Sequence, residues 1–343
     1  MTAAASVDLP PLDGWVPVRV ARQTPEVAWC HVGRRRFTEP FFEQTIARCL
    51  GEAPFSLLFQ HYTPLAALTA WAAVRPGLTP SGFIFHLSRC GSTLVAQMLA
   101  ALPQHIVISE APPIDAILRA PFAAGASDAQ RGTWLRGMLS AFGQRRTGAE
   151  RHFFVKFDSS HTLALPLIRR AFPETPWIFL CREPLAVLVS QLRRPAAHCV
   201  PGMLDWRLPG TDLAAVDALM STEEYAARVL GGICAAALAA LRCSADGGSR
   251  GRVVHYRELP EAVDTTLREH FRLADFTAAE LDRMRSVAAF DAKEPSRPFS
   301  ADAAEKQRAA TPLLREMCAR WVEPVYAQLA ALRRADAAAG TLS

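Results

Sequence analysis

Five short apolar runs punctuate the chain, at 82–88 (GFIFHLS), 105–110 (HIVISE), 152–158 (HFFVKFD), 177–182 (WIFLCR) and 252–259 (RVVHYREL). Each has the length of a β-strand and the near-continuous hydrophobicity of one buried on both faces. Between them the apolar positions recur at helical spacing. Leu94, Val95, Met98, Leu99 and Leu102 follow the first run and are stopped by Pro103. Leu167, Ile168, Ala171 and Phe172 follow the third, in a helix entered near Pro166, and Pro184 suits the first turn of a helix after the fourth. Residues 195–220 are irregular. Ser221 and Glu224 then form a capping box for an alanine-rich helix reaching about residue 241. Further helices are predicted at 261–272, 278–289 (capped by Thr277 and Glu280) and 311–333 (opened by Thr311-Pro312). Apolar strands alternating with helices predict an α/β fold, a parallel sheet of about five strands flanked by helices. Residues 1–80 fit this pattern less well. They offer two strands within 15–37 and a helix from "EPFFEQTIARCL", and are read as an N-terminal addition to a main domain at 81–335.

In such a sheet ligands bind at the carboxyl ends of the strands. Arg89, Glu110, Asp158 and Arg182 fall there. The first of these ends, "FIFHLSRCGSTLVAQML" at 83–99, has the outline of a phosphate-binding loop of the P-loop NTPase kind, but His86 stands at the first glycine position and Ser92 at the lysine. A strand that turns through Gly91 into a helix still aims backbone N–H groups and the positive end of the helix dipole at one point. Ser92 and Thr93 add hydroxyl donors, and Arg89 adds a charge able to bind phosphate in bidentate fashion. Taken alone, Gly91 also suits a plain strand–helix corner, the lesser of the two readings.

A second stretch, "LCREPLAVLVSQLRRP", sets Arg182 at a strand end and Ser190 eight residues later. Arg194 follows at i+4 from Ser190, so the two are expected on one helix face. One serine between two arginines is a candidate site for a second phosphate.

Together, "SRCGSTLVAQML" and "IFLCREPLAVLVSQL" resemble the paired signature of sulfotransferases that use 3′-phosphoadenosine 5′-phosphosulfate (PAPS). The likeness covers residues 82–195 well and the remainder of the main domain loosely; its pattern is most similar to the tyrosylprotein and carbohydrate branch. It implies a P-loop-like three-layer sandwich, with PAPS as donor, its bisphosphate PAP as product and no required metal. Arg89, Cys90, Gly91, Ser92 and Thr93 would surround the 5′-phosphosulfate, and Arg182 and Ser190 the 3′-phosphate. Glu110, in "VISEAPPIDAIL", would be the base, and Lys156, in "VKFDSSHTL", would stabilise the transferring group. Tyr256, in "YREL", would lie near the nucleotide, and Lys306 would be a closing contact. The chain departs from the family at Cys90 (usually serine), Glu183 (usually Asp or Asn) and Arg257, where "YREL" lacks a glutamate. Sulfuryl transfer builds negative charge on the bridging oxygen of the leaving phosphate, which Arg89, Lys156 and the loop amides would neutralise. A carboxylate at Glu110 would take the proton of the acceptor hydroxyl; His161 is the rival base.

Composition removes other classes of function. The formal charge of +5 carries no polybasic run, which gives no support for nucleic-acid binding. The eight cysteines are scattered, without C-x-x-C pairs or metal-like spacing. The N-terminus is a poor signal peptide, and the longest apolar run, 229–241, is shorter than the ~18 residues a spanning helix needs, so a cytoplasmic protein is expected. Lysine occurs only at 156, 293 and 306, which draws attention to each. Two other readings stay open: a magnesium-dependent kinase or NTPase with Asp158 ending a Walker B strand, and a non-catalytic nucleotide-binding protein. The acceptor, a small-molecule, carbohydrate or peptide hydroxyl, would be held by 111–150 and 195–220; nothing in those segments specifies it.

Overall fold

The structure is a computed structural model and describes residues 12–21, 25–119, 125–203, 220–243, 250–293 and 303–340. Of the stretches assigned to the acceptor, 120–124 and 204–219 therefore lie outside the described residues, as does 294–302 ahead of Lys306.

Strands β4 (Gly82–His86), β5 (His105–Ser109), β6 (His152–Lys156), β7 (Trp177–Cys181) and β8 (Gly251–His255) form one parallel sheet in the order β5-β6-β4-β7-β8. Every residue of β4, β5 and β7 is buried, which is why these runs read as continuously apolar rather than alternating. The register is parallel from Phe83↔Trp177 to His86↔Leu180, and from Trp177↔Gly251 to Cys181↔His255. The fold class is the one the pattern predicts.

Two compact units make up the chain. The first comprises 1–81, 100–155 and 167–173. Within it β1 (Trp15–Val20), β2 (Glu26–His31) and β3 (His61–Pro64) form an antiparallel sheet with a register shift between Pro17 and Arg19. The strands and the helix at Phe42–Glu52 match the expectation for this region, while β3 is an addition to it. Trp29 anchors this sheet, its buried indole donating to Thr63 Oγ1 at 2.9 Å.

The second unit comprises 82–99, 156–166 and 174–343. Its core is aromatic: the Phe157 ring stacks on Phe85 at 4.7 Å and meets Phe83 edge-on, and Trp177 packs against Phe85. The capping serine and threonines act as N-caps, although at Ser221 the predicted box is half formed, because the Glu224 carboxylate accepts from Arg228. Ser221 accepts from Glu224 N–H, Thr277 and Glu280 complete a capping box, and Thr311 accepts from Leu314 N–H.

Two predicted elements are corrected. The run 311–333 is two helices, Pro312–Trp321 and Glu323–Gly340, because Pro324 has no N–H to continue the first. The run 261–272 holds only a 3-10 turn at Glu261–Val263 and a short helix at Thr266–His270. The alanine-rich helix is Thr222–Arg242, as its cap and length predict; taken with the charged residues of its first turns it is, by length and composition, long enough to cross a membrane, unlike the uncharged run 229–241 alone. It is a core element of this unit, with Tyr225, Val229, Leu230, Ile233, Cys234 and Leu238 buried.

That helix packs closely at Gly231, where an added Cβ would lie 2.3 Å from the Trp321 carbonyl oxygen. Gly231→Ala should therefore destabilise the protein by about 1–3 kcal/mol through overpacking, despite alanine's higher helix propensity. Urea unfolding reads this as a lower midpoint; an unchanged or higher midpoint would contradict so tight a crossing.

Candidate anion-binding site

The turn after β4 has an unusual backbone. Ser88, Arg89 and Gly91 all have positive φ, at 74°, 50° and 85°. For serine and arginine this costs on the order of 1 kcal/mol each, so the surroundings must hold them there. His86 is the first restraint: its Nδ1 accepts from Ser88 N–H at 3.1 Å, and its Nε2–H donates to the Phe157 carbonyl at 3.0 Å. Gln191, fully buried, is the second, donating to Ser88 Oγ at 2.7 Å while its Oε1 accepts from Ala196 N–H at 2.9 Å. Cys90 Sγ donates to the Leu180 carbonyl at 3.2 Å, and Arg89 Nη2 donates to the Arg194 carbonyl. A backbone of this kind directs N–H groups into a concavity suited to an anion. The helix Ser92–Ala100 starts directly from it, adding its dipole and the buried hydroxyls of Ser92 and Thr93.

Gly91 has a steric reason beyond its φ. A Cβ there would meet Leu259 Cδ1 at 2.6 Å and Tyr256 Cδ2 at 3.0 Å. The Tyr256 ring thus lies against the loop, and the Arg182 guanidinium stands over that same ring at 4.2 Å. Arg182, at the end of β7, is 6% exposed, and Lys156, at the end of β6, is 0% exposed. Both act on the Cys90 thiol: burial pushes it up to about 12, and the positive charges of Lys156 and Arg182 pull the other way. Loop, lysine and arginine therefore share one electrostatic neighbourhood, and the residue types fit a polyanionic ligand.

Other predicted site residues are placed as follows. Tyr256 is not in the fifth strand but on a 3-10 turn, Tyr256–Glu258, just after it. Ser190 Oγ donates to its own helix, at the Ala186 carbonyl, 2.9 Å away. Arg194 does not continue the Ser190 face inside the helix, which ends at Arg193; it is the exposed C-cap residue, and its N–H bonds to the Ser190 carbonyl. Lys306 is buried on the helix Ala303–Ala309, whose Glu305 pairs with Arg193 at 2.7 Å. Glu183 caps no N–H with its side chain but forms an ion pair with Arg257. Asp158 caps the 3-10 helix Ser159–Ala164, accepting from Ser160 N–H at 2.8 Å and Oγ at 2.5 Å. His161 is buried, its ring edge-on to Phe157 at 6.0 Å. Glu110 belongs to the first unit, half-buried at the end of β5 with φ 52°.

Sequence reasoning passed over Gln191, whose only signal is a polar residue on the otherwise apolar inner face of its helix (Val187, Leu188). His86, which stands where a phosphate-binding loop has its first glycine, proves to be the loop's anchor.

No protein-family model matches the sequence, and comparison with curated proteins gives no match. Among solved structures the chain is similar to the sulfotransferase domain from the curacin biosynthetic pathway, at 16% identity over 74% of this chain and 98% of that one, TM-score 0.42. It is similar to a sulfotransferase from Alicyclobacillus acidocaldarius, at 14% identity over 75% and 96%, TM-score 0.41. A sulfotransferase from Mycobacterium avium gives 14% identity over 80% and 82%, TM-score 0.40. No residue role is transferred at these identities.

Seven of the eight cysteines are buried and only Cys243 is exposed. Burial raises the thiols of Cys90, Cys199 and Cys318 to about 12. A thiol-specific chromogenic reagent at pH 8 should therefore titrate one group in the native protein and eight after denaturation. Rapid labelling of Cys90 would show that the loop is open where this geometry closes it.

Proposed function

We propose that the chain is a cytoplasmic sulfotransferase that moves a sulfuryl group from PAPS to an acceptor hydroxyl by in-line displacement, without a metal. The observation carrying this reading is the left-handed turn 88–91, sealed by Tyr256 at Gly91, with Lys156 and Arg182 both acting on Cys90. Such a cradle offers amides, hydroxyls and two buried cations to a ligand with separated anionic groups. When bound, the donor supplies a sulfuryl group already activated by its 5′-phosphate.

The residues then divide the work. The loop from Arg89 through Cys90 and Gly91 to Ser92 and Thr93 binds the phosphosulfate end. Lys156 and Arg89 hold the negative charge that develops on the departing phosphate oxygen. Arg182, with Ser190, binds the 3′-phosphate; Tyr256 and Lys306 enclose the nucleotide. Glu110 accepts the proton of the acceptor hydroxyl. The acceptor is a small molecule, a carbohydrate or a peptide hydroxyl. Residues 81–335 carry the transfer chemistry, with 1–80 as an addition.

The test is conversion of PAPS to its bisphosphate during incubation with a panel of phenols, sugars and tyrosine peptides. Glu110→Gln should lower turnover by ~10²–10⁴-fold while leaving donor binding unchanged. Arg182→Ala should weaken donor binding by about 1.5–3 kcal/mol per charged hydrogen bond lost. Full turnover in Glu110→Gln would move the base role to His161. Absence of turnover with every acceptor, together with metal-dependent ATP hydrolysis, would overturn the sulfotransferase reading.

A further inference from the structure

The turn that carries Tyr256 is held from the side away from the loop, by residues that the proposed chemistry does not use. His255, the last residue of β8, is its pivot. Its backbone N–H donates to Glu258 Oε1 at 3.2 Å, and its Nδ1 accepts from Arg257 N–H at 3.1 Å. Its Nε2 lies 3.0 Å from Tyr326 Oη, on the helix Glu323–Gly340. Glu258 Oε1 is bound in turn by Arg333 of that helix at 2.7 Å. The C-terminal helix therefore grips both ends of a three-residue turn, and Tyr256 projects from that turn against Gly91 and beneath Arg182.

This geometry requires one form of the imidazole. Because Nδ1 receives an N–H, it is bare, and the ring's single proton sits on Nε2, toward Tyr326. A second proton would land on Nδ1 and set N–H against N–H, so the bond to Arg257 would be lost. The groups facing the ring are Glu183 (Oε1 3.8 Å from Nε2, itself paired with Arg257), Tyr326, Arg333 and the turn's own Arg257 and Glu258. Burial holds His255 below the ordinary imidazole range, the Glu183 carboxylate offsets this in part, and Arg333 and Arg257 reinforce it. Burial raises the Tyr326 hydroxyl, so it stays a neutral phenol.

We infer that His255 is a positioning residue of the anion site: its bare Nδ1 fixes the turn that sets Tyr256 between Gly91 and Arg182, so the site binds phosphate well only while His255 is neutral. The inference deepens the sulfotransferase reading and rests on it for the ligand.

The test measures the affinity of adenosine 3′,5′-bisphosphate at pH 8.0 and pH 4.5, the lower value chosen because burial moves the titration of His255 below the ordinary imidazole range, for wild type, His255→Asn and His255→Gln. Asparagine keeps an acceptor near the Nδ1 position and does not titrate; glutamine places none there. Wild type should lose about three- to tenfold more affinity on acidification than His255→Asn, the loss of one hydrogen bond that holds the turn. Titration of the ligand's own phosphates is common to both and cancels. His255→Gln should bind weakly at both pH values, with His255→Asn close to wild type at pH 8.0. An equal acid loss in wild type and His255→Asn, or full affinity in His255→Gln, would overturn the assignment. Amide exchange supplies a readout that needs no ligand: the protection factor of the Arg257 N–H should fall about three- to tenfold on acidification to pH 4.5 in wild type and hold in His255→Asn. If wild type bound no bisphosphate at pH 8.0, the donor reading would fail, and exchange at Arg257 would still decide the role of His255.

Discussion

The left-handed turn at the end of β4 is the constraint on which the second unit is organised. Ser88 and Arg89 occupy a backbone region that neither side chain favours, and an isolated peptide of this sequence would leave it. It persists because a histidine two residues upstream accepts the Ser88 amide, and because a glutamine about a hundred residues later takes the Ser88 hydroxyl. His86 is itself fixed by the Phe157 carbonyl, and Phe157 is stacked within the aromatic core on Phe85. The shape of the loop is thus set by the packing of the core.

On the proposed reading, the same arrangement lets a loop of phosphate-binding outline lack its lysine. The cations come from neighbouring strand ends instead: Lys156 from β6 and Arg182 from β7, both inside the protein. Tyr256 joins the two halves, packing on the loop at Gly91 and stacking under Arg182. A change at this one ring is felt by both Gly91 and Arg182.

The strands were legible because complete burial leaves no alternation, and WIFLC and GFIFH have no other stable disposition. The caps at Ser221, Thr277 and Thr311 were legible because an N-cap acts within three residues of itself. Elements that failed did so at prolines or short turns: Pro324 divides a helix that periodicity alone would join, and the Tyr256 turn interrupts a run that reads as strand. In the site, Arg89, Gly91 and Arg182 carry their own signal. Gln191 and His255 do not, since their partners lie 103 and 71 residues away, at Ser88 and Tyr326. Local pattern cannot encode such pairs.

The most direct test of the central claim is calorimetric titration of the protein with adenosine 3′,5′-bisphosphate in the absence of metal, beside ATP with magnesium. A cradle without a Walker lysine, served by Lys156 and Arg182, predicts tight metal-independent binding of the bisphosphate that is lost in Arg182→Ala. Binding of ATP only, and only with magnesium, would contradict it and place Asp158 at the centre of a phosphoryl-transfer site.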